Sequence, residues 1–190
     1  LALMRAGQAQ WTEELTQRQI VELRADRRVR VENEEGTGHA SVRMNPRFEP
    51  FGDRRVRQAL LFATDNAALN AAVFEGLGTQ AKSIVPPAID GADVNPDRAR
   101  ALLAEAGHGN GLRIAVEYSQ IFWWEEALCL QLRTQFQRVG VTLELRQITD
   151  ADMRARTAPN RRDLPFFTFM DNPIVLDPVY TLFLNAHSQG

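Results

Sequence analysis

NPRFEPFGDRRVRQALLFATD, residues 45–65, is the stretch that decides the fold, because it predicts a strand end, a Pro-rich bend and a sharply started helix. Asp53 is the predicted N-cap of this helix, since its carboxylate can accept hydrogen bonds from the free N–H groups of the first turn. Apolar residues then recur at helical spacing and form one stripe, namely Val56, Ala59, Leu60 and Ala63. The stretch therefore predicts an amphipathic helix that begins at the bend.

Three arginines stand at the start of that helix, Arg54, Arg55 and Arg57. The helix dipole makes this end positive, which disfavours each cation by about 0.3–1 kcal/mol. Local helix preference therefore does not explain the arginines. We expect them to have anionic partners elsewhere in the fold or in a neighbouring lobe.

The rest of the chain alternates predicted strands with predicted helices. Alternation of apolar and polar residues predicts strands at 28–31, 40–44, 112–118 and 141–145. A short apolar run predicts a further strand at 164–170, buried on both faces. Capping residues and helical spacing predict helices at 1–26, with Thr12 as an N-cap, at 67–75, 96–106, 124–139 and 149–157, and a helical turn from Asp177. This order of elements is typical of an α/β fold with a mixed sheet.

Length and composition are those of one globular domain. The chain has 190 residues, of which 44% are hydrophobic and 24% charged, and its net charge of −2 gives no support to a nucleic-acid partner. No apolar run approaches the ~20 residues of a membrane-spanning helix. The chain opens with LALMRAGQ rather than an initiating Met, so we expect an internal piece of a longer protein.

The sequence contains no pattern typical of an enzyme or a metal site. There is no GxSxG, P-loop or GxGxxG motif. His39, His108 and His187 have no His or Cys at the spacing of metal ligands. Cys129 has no second cysteine to pair with and lies between leucines, which favours a buried apolar role over a reactive thiol. We therefore expect no catalysis, no metal and no cofactor.

SQIFWW, residues 119–124, lies at a predicted strand-to-helix corner. Open α/β sheets bind their ligands at such corners, outside the carboxyl ends of the strands. Trp123 and Trp124 have flat faces that contribute strongly to binding when they line a cleft. The alternative is that Trp124 begins the core stripe of its own helix while Phe122 packs over the corner. Both tryptophans are candidate ligand contacts, and the core alternative stays open.

Several segments resemble the extracellular solute-binding proteins of ABC importers, family 5. The resemblance rests on Asn45 followed by PFGDRRVRQALLFATD at residues 50–65, on DRARALLAEAG at 97–107 and on VGVTLEL at 139–145. It covers residues 28–190 and implies a single mixed-sheet α/β lobe of a two-lobed, type II periplasmic-binding-protein fold. It also implies that residues 1–27 are a helical segment from the crossover between the two lobes.

The resemblance implies a function and partners as well. Such a protein binds a solute between its two lobes and delivers it to ABC permease subunits in the membrane. We expect a short peptide as the solute, with nickel complexes, sugars and opines left open. The second lobe of the same chain would complete the cleft, and no nucleic acid is involved. The expected location is periplasmic or extracellular, with a lipoprotein anchor as one alternative.

The resemblance implies further site residues at the end of the last strand. In peptide-binding members an aspartate at this place pairs with the amino group of the peptide, and Asp171 is the candidate by position. A charge-assisted hydrogen bond of this kind contributes about 1.5–3 kcal/mol. Phe169, Asn172 and Asn45 complete the candidate set. The alternative is a turn in which Asp171 or Asn172 bonds its own backbone before Pro173.

Two other functions stay open from the sequence. Similar lobes also serve as ligand-sensing domains of cytoplasmic transcription regulators, and the feature that would discriminate, a signal peptide or a helix-turn-helix, would precede Leu1. The second open function is that of a hydrolase on an α/β scaffold, which the absence of a catalytic constellation disfavours.

Overall fold

The computed structural model describes residues 2–10, 15–32, 38–79, 93–158 and 160–171. Within these ranges the helices are α1 Ala2–Arg5, α2 Gln17–Arg24, α3 Arg54–Ala63, α4 Asn66–Phe74, α5 Pro96–Glu105, α6 Glu125–Gln137 and α7 Asp150–Thr157. The strands are β1 His39–Met44, β2 Leu112–Tyr118, β3 Val141–Gln147 and β4 Phe166–Asp171. No helix in these ranges is both long and apolar enough to cross a bilayer.

The four strands form one mixed sheet in the order β1-β4-β2-β3. β2 is parallel to both β3 and β4, whereas β1 runs antiparallel to β4. The three parallel strands therefore end at one edge of the sheet, which we call the carboxyl edge. β1 begins at this edge, because His39 is the register partner of Asp171. The prediction of an α/β fold with a mixed sheet is confirmed.

The hydrophobic core joins the sheet to helices α3–α6. All four residues of the stripe predicted for α3 are buried, namely Val56, Ala59, Leu60 and Ala63. Apolar residues of β2, β3 and α6 belong to the same cluster, among them Ile114, Val116, Leu143, Leu128, Leu132 and Phe136. α5 packs on α3, and α6 packs on β3. The helix that follows the Pro-rich bend is therefore a central part of the core.

The bend itself, residues 45–53, is a compact structure that we call the hook. Phe51 is buried, and its ring packs on Phe166 of β4 with 5.2 Å between centroids. Asp53 is the N-cap of α3, as predicted, and accepts a hydrogen bond of 2.8 Å from the backbone N–H of Arg55. The hook therefore anchors the chain to β4 and starts α3 at a defined residue.

The arginines of α3 find acceptors close to the hook. The Arg55 guanidinium donates to the Asp53 carboxylate, at 2.6 Å from Nη2 to Oδ2, and to the backbone carbonyl of Glu105 at the end of α5. Arg57 donates to two backbone carbonyls of the hook. The expectation of anionic partners elsewhere in the fold is wrong for these two arginines, because the Asp53 carboxylate and backbone carbonyls accept their hydrogen bonds. The hydrogen bonds from Arg55 lower the pKa of Asp53 to about 2.

The N-terminal segment differs from its prediction. The strand expected at 28–31 does not form, because the Asp26 carboxylate accepts hydrogen bonds from the backbone N–H and the guanidinium of Arg28 and starts a turn. In the described parts of the helical segment expected at 1–26, residues 2–10 and 15–26, there are two helices, and Thr16 caps the second of them in a capping box. Thr12, the predicted N-cap, lies outside the described residues.

The last strand also differs from its prediction. Phe166 and Thr168 of β4 are buried, whereas Phe167 and Phe169 on the other face are half-buried. The expectation of two buried faces is wrong, because β4 alternates as a strand with one covered face does. The helical turn predicted from Asp177 lies outside the described residues.

Candidate ligand-binding edge of the sheet

The corner after β2, residues 119–124, and the end of β4 lie side by side at the carboxyl edge. β2 and β4 are parallel neighbours, with Glu117 opposite Phe167. β2 ends one residue later, at Tyr118, while β4 continues to Asp171. At about 3.3 Å per residue, β4 extends roughly 10 Å past the end of β2. The end of β4 is therefore placed beside the corner.

The two tryptophans of the corner have opposite environments. Trp123 is 50% exposed, and its ring makes an edge-to-face contact with Phe74 of α4 at 5.6 Å between centroids. Trp124 is 3% exposed and stacks on Phe122 at 5.8 Å. This burial supports the core alternative for Trp124 over a role as a ligand contact. Trp123 keeps an open face.

A buried carboxylate lies under the corner, and no sequence pattern identifies it. Glu125, the first residue of α6, is 2% exposed. It accepts hydrogen bonds from the Ser119 hydroxyl at 2.9 Å, the Phe122 backbone N–H at 3.2 Å and the Thr168 hydroxyl at 2.7 Å. Glutamate in the first turn of a helix is ordinarily a solvent-exposed residue that favours the dipole, so the sequence gives no signal for its burial.

A second carboxylate near the carboxyl edge is paired with a cation. Glu117 of β2 is 8% exposed, and both of its carboxylate oxygens accept from the guanidinium of Arg156 in α7. Arg156 Nε also donates to Asp163 at 3.0 Å, in the turn before β4. Bidentate pairs of this kind fix geometry as well as charge. The cluster therefore ties α7 to the sheet as part of the scaffold.

The candidates at the end of β4 share the carboxyl edge with the corner. Phe169 is half-buried, and the guanidinium carbon of Arg43 lies 4.0 Å from its ring centroid. Asp171 is the last residue of β4, and its backbone is opposite that of His39. Asn172 lies outside the described residues. The structure therefore brings Trp123, Phe169 and Asp171 to one edge.

Asn45 lies at the opposite edge of the sheet. It follows Met44, which pairs with Phe166 at the start of β4. Its Nδ2 donates to the backbone carbonyls of Arg162 at 2.9 Å and Leu164 at 3.2 Å. The structure does not bring Asn45 to the other candidates, because its amide fastens the hook to the turn before β4. The structure therefore gives no support to Asn45 as a ligand contact.

The described residues hold no group of three or more His, Cys, Asp or Glu side chains that could bind a metal ion. Cys129 of α6 is buried, and this burial, together with the charges of Glu125 and Glu126, raises the pKa of its thiol to about 12. Such a thiol is protonated at neutral pH and is a poor nucleophile.

The fold and this edge define a lobe of the type II periplasmic-binding-protein class. The family model of the bacterial extracellular solute-binding proteins, family 5 middle, matches residues 1–190, and the chain belongs to that family. The predicted family and fold class are confirmed. Members of this family are extracellular solute-binding proteins, so the alternative of a cytoplasmic transcription regulator is not favoured.

Three similar proteins illustrate the relationship. The chain is 35% identical over 99 residues to heme-binding protein A of Haemophilus influenzae, covering 48% of the chain and 18% of that protein. It is 28% identical over 160 residues to the glutathione-binding protein GsiB of Escherichia coli K12, covering 81% of the chain and 31% of that protein. The structure of the periplasmic binding protein DppA of Helicobacter pylori, in complex with the peptide STSA, matches this fold with a TM-score of 0.83 at 15% identity. The match covers 96% of the chain and 36% of DppA. The chain thus spans well under half the length of these proteins.

Proposed function

We propose that the chain is one lobe of a solute-binding protein of an ABC importer, and that the carboxyl edge forms one wall of the solute cleft. The observation that carries this proposal is the open face of Trp123 beside the buried Trp124. A tryptophan that is 50% exposed contributes little to the core but offers a large contact to a ligand. Strand-to-helix corners at carboxyl ends are the usual ligand sites of such sheets.

The path of the chain supports a second lobe at the same edge. β1 begins at the carboxyl edge and β4 ends there, so the chain enters and leaves the sheet on one side. We propose that residues 28–190 form one lobe and that residues 1–27 belong to the crossover between lobes. The two lobes would close on the solute by a hinge movement, and the closed form would dock on the permease.

We propose a short peptide as the solute. Asp171 would accept from the amino group of the peptide, because an ammonium removed from water needs a carboxylate partner. Glutathione, named for the Escherichia coli relative, is itself a tripeptide, and the Helicobacter pylori structure holds a peptide. Heme is the second candidate, since the relative from Haemophilus influenzae is named for it. The flat face of Trp123 would suit a planar ring.

The location and the absence of catalysis are part of the same proposal. We place the protein in the periplasm or at the cell surface, where it would work with ABC permease subunits. The support is membership of an extracellular, solute-binding family. The net charge of −2 gives no support to a nucleic-acid partner.

The proposal is tested by titration calorimetry of the full-length parent protein. The probes are Ala-Ala-Ala, its N-acetylated form, glutathione and heme. We expect a free-amine peptide to bind most tightly, and we expect residues 1–190 alone to bind weakly because half of the cleft wall is missing. Tight binding by residues 1–190 alone, or no binding of any probe by the full-length protein, would contradict the proposal.

Asp171→Asn tests the role of the carboxylate at the end of β4. Loss of a charge-assisted bond should weaken binding of the free-amine peptide by about 10- to 150-fold and leave the N-acetylated peptide unaffected. Asp97→Asn is the matched control, because Asp97 is an exposed residue at the start of α5. Equal affinity of Asp171→Asn and the wild type for Ala-Ala-Ala would remove Asp171 from the site.

A further inference from the structure

Glu125 is a buried acidic residue that the proposed contacts with the solute leave unexplained. It is 2% exposed, and within the described ranges its carboxylate accepts from neutral donors, two hydroxyls and one backbone N–H. Burying a carboxylate without a cation is unfavourable, because neutral hydrogen bonds replace only part of its hydration. The positive N-terminus of α6 offsets some of this penalty. An acidic side chain buried in such a place is suited to a role beyond filling space.

The donors to Glu125 come from separate segments of the chain. Ser119 follows the end of β2, Phe122 belongs to the middle of the corner, and Thr168 lies in β4. Glu125 itself begins α6. One carboxylate therefore joins the corner to the neighbouring strand and to the helix that follows.

We propose that Glu125 is a positioning residue, whose carboxylate fixes the corner against β4 and holds the exposed ring of Trp123 at a set distance from Asp171. The bonded N–H of Phe122 directly precedes Trp123, and Thr168 lies on the strand that ends at Asp171. Loss of the carboxylate would release the corner, while pairing with β1 keeps β4 in place. The consequence for binding rests on the proposed function, whereas the position of Trp123 needs no solute.

The position of Trp123 can be measured without a solute. The full-length protein is labelled with 5-fluorotryptophan, and Trp123→Phe assigns the Trp123 resonance in the ¹⁹F NMR spectrum. Glu125→Ala removes every bond to the carboxylate, and Thr168→Val removes the donor on β4 at nearly constant shape. Glu125→Gln is the conservative variant, because its oxygen can face the Phe122 N–H while its amide group donates to Thr168.

Val141→Ala serves as the control for a general loss of stability. Val141 is buried at the start of β3, opposite Leu112, roughly 20 Å along the sheet from the corner. We expect Glu125→Ala and Thr168→Val to shift and broaden the Trp123 resonance, and Glu125→Gln and Val141→Ala to leave it unchanged. If Glu125→Ala does not fold, the Trp123 resonance of Thr168→Val alone tests the inference. An unchanged resonance in Thr168→Val, or an equal change in Val141→Ala, would overturn the inference.

Affinity for Ala-Ala-Ala separates this inference from the proposed function. Glu125→Ala should bind the probe roughly tenfold more weakly than Val141→Ala, and Glu125→Gln should recover most of the loss. Wild-type affinity in a folded Glu125→Ala variant with an unchanged Trp123 resonance would overturn the positioning role. Wild-type affinity with a shifted resonance would instead contradict the place of Trp123 in the cleft, and with it the proposed function. If the wild type binds no probe while the Trp123 resonance responds as expected, the positioning role is supported and the proposed function fails.

Discussion

The hook and the corner are two bends of one chain, and they differ in which side chains they bury and which they expose. In the hook, Phe51 is buried, Asp53 caps a helix and the Asn45 amide bonds two backbone carbonyls. In the corner, the large apolar ring of Trp123 is half exposed, and the acidic Glu125, which directly follows the corner, is buried. The hook follows the usual rules of burial and capping, and the corner departs from them. Departures of this kind are expected at functional sites.

This difference separates what identifies the family from what selects the solute. The resemblance to family 5 is densest in and after the hook, where the described side chains serve packing and local hydrogen bonds. A match there identifies the scaffold and carries no information on the solute. The solute has to be inferred from the carboxyl edge. We therefore expect substitutions in the hook to change stability and substitutions in the corner to change affinity.

The largest expected effect is on Phe51 of the hook. Phe51→Ala should lower the free energy of unfolding by about 3–5 kcal/mol, because it removes a buried ring that packs on Phe166. Urea unfolding of the full-length protein measures this loss. Phe48→Ala, the same change at a half-buried phenylalanine of the hook, is the control and should have a smaller effect. An equal effect of the two substitutions would contradict the account of the hook.

Asn45 offers a sharper test, because it is among the ligand contacts predicted from the sequence. Asn45→Ala should lower the free energy of unfolding by about 1–3 kcal/mol, since the carbonyls of Arg162 and Leu164 lose their donor. Solute affinity of the folded protein should not change. Asn45→Asp should be at least as damaging, because a carboxylate would face two carbonyl oxygens. Reduced affinity at unchanged stability would return Asn45 to the site.

A smaller effect is expected in the pH dependence of the hook. The pKa of Asp53 is lowered to about 2 by hydrogen bonds from Arg55, whereas the ordinary value is 3.8. The unfolded chain therefore takes up the proton first, so the stability contributed by Asp53 is complete above about pH 4 and is lost as the pH falls toward 2. Asp53→Asn keeps a good N-cap but removes the titration.

Urea midpoints of the wild type and Asp53→Asn, measured across this acidic range, check the pH dependence. The advantage of the wild type should shrink as the pH falls. A difference that does not change with pH would show that the Asp53 carboxylate is not held in its charged form by Arg55.

Local signals predicted most of the scaffold. The N-cap Asp53 is where the sequence places it, because capping depends on neighbours in the chain. The strand expected at 28–31 fails for the converse reason. Alternation alone does not make a strand, and Asp26 bonds the backbone of Arg28 instead.

The site is harder to predict, because it depends on contacts between distant segments. Trp123 and Trp124 are identical neighbours in the sequence, and only packing against Phe74 and Phe122 distinguishes them. The burial of Glu125 depends on Thr168, which is far away in the chain. The position of Asn45 at the opposite edge follows from strand order, which no local pattern encodes.

The central claim, that the carboxyl edge is a wall of the solute cleft, is tested most directly by comparing Trp123→Ala with Trp124→Ala in the full-length protein. Trp123→Ala should weaken binding of the tightest probe by about 2 kcal/mol, roughly thirtyfold, with little loss of stability. Trp124→Ala should lower the free energy of unfolding by about 3–5 kcal/mol. Wild-type affinity in Trp123→Ala would contradict the account.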